Sequence, residues 1–499
     1  MRTLGISHSW MGEYMVDSER MKKLEGIRSQ GVNPYPERFD KVDSVAAARA
    51  KKIDKDTVVT AGRIRGIKSM GKLTFADLRD QTGKIQISFS ESVLGREQYD
   101  LFRNHIDNGD ILGVKGRLFN TEKGELTVAV SKFQLLGKAL RDMPEKWHGL
   151  QDLETRWRQR YIDLIANDET RDRFIKRSKI VQAVREYLIR NGFIEVETPI
   201  LQHQISGANA KPFITHHNAL DIDVVLRIAP ETFLKRLVVG GYERVFEIGK
   251  DFRNEDIDPQ HLQEFTMLEY YAAYWNYQDN MSFIQAMVQE VVGKIYNGSL
   301  KVRYGDVELD FSGEWPVYVY RDVVLRDCGI DIDKFTTYDA LNAEIRKRGI
   351  EIDYEEGMGW GKLVDKLYKK VTRPKLIQPC FLVNQPTELV PLARASDQNP
   401  KRLDMFQVVV SGFEISKAYS ELVDPIEQRR RFEDQAAMKR KGDEEMLDVD
   451  EDYLRAMEYG MPPVSGVGIG IDRLVALLTD APNLRDVIFF PLMRQENIL

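Results

Sequence analysis

The chain has 499 residues, of which 42% are hydrophobic and 30% charged, and its formal net charge is −6. This length predicts two or more domains, and the composition is typical of a folded protein, not of a disordered or fibrous one. The sequence has no apolar run long enough to cross a membrane and no secretory signal over residues 1–15, so we expect a soluble, cytoplasmic protein. The two cysteines, Cys328 and Cys380, lie far apart, which argues against a disulfide framework or a zinc site.

Residues 1–55 are predicted to form a helical extension and a linker. A helix should begin near Asp17 and end at Gly31, and a proline-containing linker follows at 33–36. Residues 56–140 alternate apolar and polar positions over five short segments, separated by turn sequences such as 81–83. Five strands, with one helix-like stretch between the third and the fourth, fit an oligonucleotide-binding (OB) barrel, although other small barrels have similar spacing.

The remaining sequence predicts a hinge and one larger domain. Residues 141–165 are rich in charged and aromatic residues and are expected to be the hinge. Residues 166–499 begin with a helix that should end at Asn191-Gly192, followed by an amphipathic strand that ends at Pro199. Strands and helices then alternate, and residues 280–373 are predicted to be mostly helical.

The segment 246–269 combines residue types that suit a nucleotide. A strand, a polar loop and a returning strand would bring Arg253, Glu255, His261 and Phe265 to one surface. The planar guanidinium of arginine suits a phosphate or carboxylate, and an aromatic ring suits a stacked purine. Alone, His261 would more often be an ordinary surface or core histidine and Phe265 a core residue. Their grouping around one arginine is what indicates a nucleotide site.

The segment 466–473 places alternating glycines and an arginine at a strand-to-helix turn. Gly466, Gly468 and Gly470 would let a ligand approach the strand closely, and the N-terminus of the following helix favours anions. The spacing is not that of a dinucleotide-binding Rossmann loop. Arg473, shortly after the third glycine, therefore indicates an anion site of another kind.

These segments resemble a known family. The strand that ends at Pro199, the loop 252–255 and the segment 466–473 are similar, in this order, to the three signature motifs of class II aminoacyl-tRNA synthetases. The stretches 205–213, 226–231 and 419–422 resemble the lysyl-tRNA synthetases of that class. The resemblance implies an α+β protein, with an N-terminal OB-fold barrel that binds the anticodon and a catalytic antiparallel β-sheet flanked by helices.

The resemblance also implies a reaction. Such an enzyme activates lysine with ATP, releases pyrophosphate and transfers lysine to tRNA(Lys). It works as a homodimer whose interface is formed by the strand that ends at Pro199 and the helix before it. Arg253 and Arg473 would be the catalytic residues, and Mg²⁺ would bridge the phosphates of ATP. A pocket for lysine should be rich in carboxylates because a buried cation must be paired.

The residue roles that the resemblance implies fall into four sets. The ATP-binding set is Arg253, Glu255, His261, Phe265, Glu414 and Arg473, and the metal-binding set is Glu414 and Gln407. The lysine-binding set is Gly207, Glu231, Glu269, Tyr271, Tyr419 and Glu421. The anticodon-binding set is Phe75, Gln86 and Glu125, although Phe75 could equally be a residue of the barrel core.

Two positions depart from the family pattern. Gln407 stands where a magnesium-binding glutamate is usual, and an amide is a weaker ligand for this ion. Lys417 stands where asparagine is usual, and its cation would repel an ammonium or attract a carboxylate or phosphate.

Two alternatives to a lysyl-tRNA synthetase therefore stay open. One is a paralogue that lysylates a protein, against which the barrel argues; the other is a non-catalytic RNA-binding paralogue, against which Arg253 argues.

Overall fold

The computed structural model describes residues 16–143, 150–208, 210–354, 358–439 and 449–494. Contacts divide the chain into two units, one that ends at Asn167 and one that begins at Asp168. Each unit has its own buried apolar core. Within the described ranges, no helix is both long enough and apolar enough to span a membrane.

The first unit consists of a five-stranded barrel with short helices before, within and after it. Its elements are α1 (Ser18–Ser29), α2 (Val45–Arg49), β1 (Thr57–Met70), β2 (Leu73–Asp80), β3 (Gly83–Ser90), α3 (Glu91–Leu94), α4 (Arg96–His105), β4 (Ile111–Asn120), β5 (Leu126–Gly137), α5 (Leu153–Arg158) and α6 (Arg160–Ala166). The segment proposed as a hinge thus contains two short helices, and its residues 144–149 lie outside the described residues.

The strands close into a barrel in the order β1-β2-β3-β5-β4, which confirms the predicted fold of this unit. Neighbouring strands are antiparallel, except that β3 and β5 are parallel. Because side chains alternate along a strand, β2 buries Ala76 and Leu78 and turns Phe75 outward. Inside the barrel, the rings of Phe89 and Phe102 stack with their centroids 3.7 Å apart.

The second unit is larger and mixes strands with helices. Its first half contains α7 (Asp168–Arg190), β6 (Ile194–Glu195), β7 (Leu201–Gln202), β8 (Ile214–His217), β9 (Ile222–Leu226), α8 (Glu231–Val239), β10 (Arg244–Phe252), β11 (Glu264–Ala273), α9 (Tyr277–Ile295), β12 (Lys301–Tyr304), β13 (Val307–Asp310) and β14 (Val317–Val319). Its second half contains α10 (Tyr320–Cys328), α11 (Tyr338–Lys347), α12 (Trp360–Leu367), β15 (Cys380–Val383), β16 (Met405–Val410), β17 (Phe413–Ser420), α13 (Pro425–Lys439), α14 (Glu451–Glu458), β18 (Val464–Gly470) and α15 (Ile471–Leu478).

The central sheet of this unit has eight strands in the order β14-β15-β16-β17-β18-β11-β10-β6. Neighbours are antiparallel throughout, except for the parallel pairs at the two edges, β14 with β15 and β6 with β10. Helices α7, α9 and α15 bury their apolar side chains against one face of the sheet. This arrangement confirms the predicted antiparallel sheet flanked by helices and leaves the opposite face for a ligand.

One segment differs from its predicted structure. The alternating segment before Pro199 forms only the two-residue strand β6, because Thr198 turns away and donates to the Glu247 carboxylate from its backbone and its hydroxyl. Proline then has no N–H to continue a ladder. The segment 280–373 consists mostly of helices, and it also contains a hairpin, β12–β13, and the edge strand β14. These strands have only three or four residues, too few for an alternating pattern to reveal them.

Candidate active site

The free face of the eight-stranded sheet lines a cavity of about 460 Å³. Strand β11 directs Leu268 and Tyr270 into the core and Met267, Glu269 and Tyr271 into the cavity. The same alternation on β17 places Lys417 and Tyr419 in the cavity wall. The face that the helices leave free therefore presents polar side chains to the cavity.

The structure brings the residues predicted for ATP, metal and lysine together in this one cavity. The predicted residues that line it are Gly207, Glu231, Arg253, Glu255, His261, Phe265, Glu269, Tyr271, Gln407, Glu414, Tyr419 and Arg473. Glu421 lies directly behind the lining, where it is 2% exposed. The three anticodon candidates are in the other unit.

The glycines of β18 form the floor of the cavity. The ladder sets Tyr271 and Tyr419 on either side of Gly466, and Glu269 and Lys417 on either side of Gly468. A Cβ atom at Gly466 would collide with Tyr271 Cε1 and Glu421 Oε1, whereas a Cβ atom at Gly468 would have no neighbour closer than 3.8 Å. The first glycine therefore admits neighbouring side chains, and the second leaves space for a ligand.

One end of the cavity carries cations. Arg253 lies over the ring of Phe265, with Cζ 5.1 Å from the ring centroid, and Arg473 donates to the Glu414 backbone oxygen at 3.0 Å. Among the residues that the structure describes, no carboxylate forms an ion pair with Arg253, Arg473 or Lys417. Cations without a carboxylate partner in a shared cavity are suited to bind an anion.

The loop residues at this end are more exposed. His261 Nδ1 lies 2.7 Å from Asp258 Oδ2, and the histidine side chain is half exposed. Glu255 is exposed at the rim of the cavity. Both can reach a bound ligand, but neither is held in place by a buried contact.

The other end of the cavity carries carboxylates arranged around a buried lysine. Lys235 Nζ donates to Glu231 Oε1 at 2.6 Å and forms an ion pair with Glu421, and its side chain is 0% exposed. Tyr419 donates to the same oxygen of Glu231 at 2.7 Å. Tyr271 donates to Glu269 Oε2 at 3.0 Å.

The charges at this end do not balance. Three carboxylates, Glu231, Glu269 and Glu421, face one ammonium, so two negative charges remain when all three are ionised. Burial, and then the neighbouring carboxylates Glu231 and Asp251, raise the pKa of Glu269 well above its usual range. A bound cation would favour the ionised form, so this end is suited to a cationic ligand.

A second buried cluster supports the loop that carries Arg253. Arg227 forms ion pairs with Glu247 at 2.6 Å and with Asp251 at 3.1 Å, and all three side chains are buried. Arg227 also donates to the Lys250 backbone oxygen at 2.9 Å. The cluster fixes the end of β10, from which Arg253 projects into the cavity.

The predicted anticodon residues lie on the outside of the barrel. Phe75 is half-buried and is not part of the barrel core. It pairs with Ser88, while its strand neighbour Asp77 pairs with Gln86, so Phe75 and Gln86 are diagonal neighbours on one face. Thr127 donates to Gln86 at 2.7 Å, and Glu125 is exposed at the start of β5. These residues form a partly exposed surface that an RNA base could reach.

Comparison with known proteins accounts for both units. Residues 152–494 match the family described as tRNA synthetases class II (D, K and N), and residues 58–136 match the OB-fold nucleic acid binding domain. The chain belongs to the class II tRNA synthetases. A lysine–tRNA ligase of Magnetococcus marinus is 47% identical over 487 residues, which are 96% of each chain. One of Dehalococcoides mccartyi is 45% identical over 97% of this chain and 98% of its own, and one of Aquifex aeolicus is 48% identical over 88% and 73%.

The synthetase site contains side chains that the sequence did not reveal. Lys235 is four residues after Glu231, a spacing that usually indicates an exposed helical ion pair, and here both partners are buried. Asp365 and Lys369 also line the cavity and form an ion pair at 2.7 Å. Lys369 belongs to a short π-helix, Tyr368–Thr372, and such segments are frequent at functional sites.

The two predicted metal ligands of the synthetase do meet, but they do not fit a protein-held divalent ion. Gln407 Nε2 donates to Glu414 Oε2 at 2.5 Å, so the amide uses its donor side toward the one carboxylate of the pair. The described ranges contain no group of three acidic, histidine or cysteine side chains that could hold a metal ion. A hard dication prefers several oxygen ligands, and this pair supplies too few.

Replacement of Gly466 tests the floor of the cavity. We expect Gly466→Ala to lower kcat/KM for the amino acid by about 10–100-fold in ATP–pyrophosphate exchange, because the new methyl group displaces Tyr271 and Glu421. Gly293→Ala in α9 is the matched control, since its nearest neighbour would be Leu300 at 3.8 Å. That control should retain full exchange. An unchanged kcat/KM in Gly466→Ala would contradict the close packing described for this floor.

Proposed function

We propose that this synthetase is a lysine–tRNA ligase, which activates lysine with ATP and then transfers it to tRNA(Lys). One observation carries the proposal: a single cavity has cations without carboxylate partners at one end and, at the other, three carboxylates that face a single ammonium. The first end suits a triphosphate. The second suits an amino acid with an additional positive charge.

The charge of the second end favours lysine over aspartate and asparagine, the other two amino acids that enzymes of this family use. Lysine has two ammonium groups, and when all three carboxylates are ionised, the single charge of Lys235 leaves two negative charges for them to compensate. The side chain of aspartate is anionic and that of asparagine is neutral, so neither would compensate this charge. A buried carboxylate without a cationic partner is costly, which disfavours both competitors.

The proposed roles follow from the positions of the residues. Gly207, Glu231, Glu269, Tyr271, Tyr419 and Glu421 would surround the lysine side chain and α-ammonium. Phe265 would stack on adenine, while Arg253 and Arg473 would bind the phosphates, with Glu255 and His261 at the rim. The lysine carboxylate attacks the α-phosphorus of ATP and pyrophosphate leaves, which requires positioning and charge stabilisation but no protein nucleophile.

In this proposal, Mg²⁺ enters the site with ATP, as the counter-ion of its phosphates. Triphosphates are oxygen-rich and bind Mg²⁺ in preference to softer metals. Glu414 is the one carboxylate of the predicted metal pair that could contact this ion. The reaction belongs to translation, so we propose that the enzyme works in the cytoplasm.

The barrel would select the tRNA. Phe75 is half-buried and points out of the barrel, where a base could stack on it, and Gln86 and Glu125 offer hydrogen-bonding groups close to the same surface. Single-stranded RNA is usually recognised in this way, by stacking and by bonds to base edges. We propose that these three residues contact the anticodon.

ATP–pyrophosphate exchange with each of the twenty amino acids tests the proposed activity. We expect lysine alone to support rapid exchange. Arg253→Ala should slow that exchange by about 100-fold or more, because it removes a guanidinium at the α-phosphate. Arg303→Ala, which removes an exposed guanidinium from β12, is the control and should retain full exchange. Exchange that depends on aspartate or asparagine, or no exchange at all, would contradict the proposal.

Replacement of Phe75 separates the two units. We expect Phe75→Ala to weaken tRNA charging by about 1–3 kcal/mol, the usual contribution of a stacked base, and to leave exchange without tRNA unchanged. Phe89→Ala is the contrasting variant, because Phe89 is buried in the barrel and its loss should cost about 3–5 kcal/mol of stability. A loss of exchange and a lower melting temperature in Phe75→Ala would show that its role is structural.

We also propose a homodimer. Around the short edge strand β6, apolar side chains are exposed, among them Ile194 and Leu201 at 51% each. A second copy related by two-fold symmetry would cover such a surface. Ile194→Asp should therefore shift the mass measured by sedimentation from dimer to monomer, whereas Ile426→Asp, at an 81% exposed position on α13, should not. A wild-type monomer at micromolar concentration would refute the dimer.

A further inference from the structure

Lys417 is one of the residues that line the cavity. It lies on β17, directly opposite Gln407 of β16 on one side and Gly468 of β18 on the other. On the same strand, Tyr419 donates to Glu231 at the carboxylate end, and the Glu414 backbone oxygen accepts from Arg473 at the cationic end. Lys417 thus stands at the junction between the two ends, where the amino-acid carboxylate and the α-phosphate must meet.

Lys417 differs from the other two lysines that line or adjoin this cavity. Lys235 is paired with Glu231 and Glu421, and Lys369 is paired with Asp365 at 2.7 Å. The Lys417 ammonium has neither an ion pair nor a hydrogen bond to any residue in the described parts of the chain. A half-buried cation with no direct protein partner is available to contact an anionic ligand.

The surroundings of Lys417 favour this cation over a metal ion. Gln407, its cross-strand partner, carries no charge, and its amide donates to Glu414. Glu414 and Lys417 together are electrically neutral, so the charge that would attract a divalent ion is already compensated. In the part of the chain that the structure describes, no third acidic, histidine or cysteine side chain joins Glu414 in a group that could hold a metal ion.

We propose that Lys417 is a further catalytic residue, which contacts the lysine carboxylate and the α-phosphate at the reacting centre. Its ammonium supplies the positive charge that a protein-held metal ion would otherwise supply there. The inference rests on the proposed lysine–tRNA ligase activity. In the step that Lys417 assists, a carboxylate oxygen of lysine forms a bond to the α-phosphorus. The bond from that phosphorus to the bridging oxygen breaks, and pyrophosphate leaves with the electron pair. Lys417 stabilises the negative charge throughout and transfers no proton.

Four variants test the proposal: Lys417→Asn, Gln407→Glu, the double variant with both changes, and Lys369→Asn as a matched control in the same cavity. Lysine-dependent ATP–pyrophosphate exchange is measured against free Mg²⁺ while ATP stays fully complexed. The wild type should need no Mg²⁺ beyond that bound to ATP. Lys417→Asn should lose about 100-fold in kcat, the usual loss when one such charge donor is removed. Lys369→Asn should lose much less.

The double variant distinguishes replacement of a metal ion from a general loss of charge. It has carboxylates at positions 407 and 414 and no ammonium at position 417, which creates a metal site. Exchange should therefore recover in part, but only with Mg²⁺ in excess over ATP. Recovery would also show that the fold is intact, and thermal unfolding of each variant provides the same check. An excess-Mg²⁺ requirement already present in the wild type would overturn the proposal.

Binding of Mn²⁺ to the protein without nucleotide gives a readout that does not depend on activity. Electron paramagnetic resonance should detect one additional bound ion in the double variant compared with the wild type. Equal binding in both proteins would overturn the proposal. So would unchanged exchange in Lys417→Asn, or an equal loss in Lys369→Asn. If the wild type shows no lysine-dependent exchange, the proposed function fails, and the Mn²⁺ measurement still decides whether Lys417 takes the place of a metal ion.

Discussion

A buried ammonium group determines the geometry of the carboxylate end of this cavity. Lys235 has no exposed surface and is paired with Glu231 and Glu421, which come from different parts of the chain. Burial opposes its charge, but the two carboxylates more than compensate and raise the pKa of Lys235. Loss of one partner from such a buried group typically costs about 3–5 kcal/mol. The same contacts therefore hold α8 against the central sheet and fix two carboxylates where a ligand can use them.

The site also depends on side chains that are absent. Strand β18 lies between β11 and β17, and its side chains would normally fill the space above the sheet at this point. Instead, β18 has glycine at each position that points into the cavity. The floor is consequently backbone, and rings and carboxylates from the neighbouring strands lean over it. The cationic and anionic ends stay separate because they lie at different positions along the same strands, with Lys417 between them.

Much of this organisation could be predicted from the sequence. The alternation in β1 to β5 predicted the barrel, and the loop with Arg253 and the glycines before Arg473 indicated an anion site before any family was considered. The choice of lysine came only from the resemblance, because no spacing rule tells which carboxylates will face one cavity. Lys235 could not be predicted, since a Glu–Lys pair four residues apart is usually a surface feature. Asp365 and Lys369 come from a distant helical segment, and only the folded chain brings them to the site.

The order of strands has a consequence for how the enzyme is made. Strand β18, near the end of the described chain, lies between β11 and β17 in the sheet. The barrel strands are all synthesised before residue 168, so the first unit can fold while the ribosome is still producing the second. The central sheet of the second unit cannot be completed until β18, its last strand in the chain, has paired with β11 and β17. A nascent or truncated chain could therefore hold a complete OB-fold barrel, whereas the glycine floor of the cavity would not yet exist.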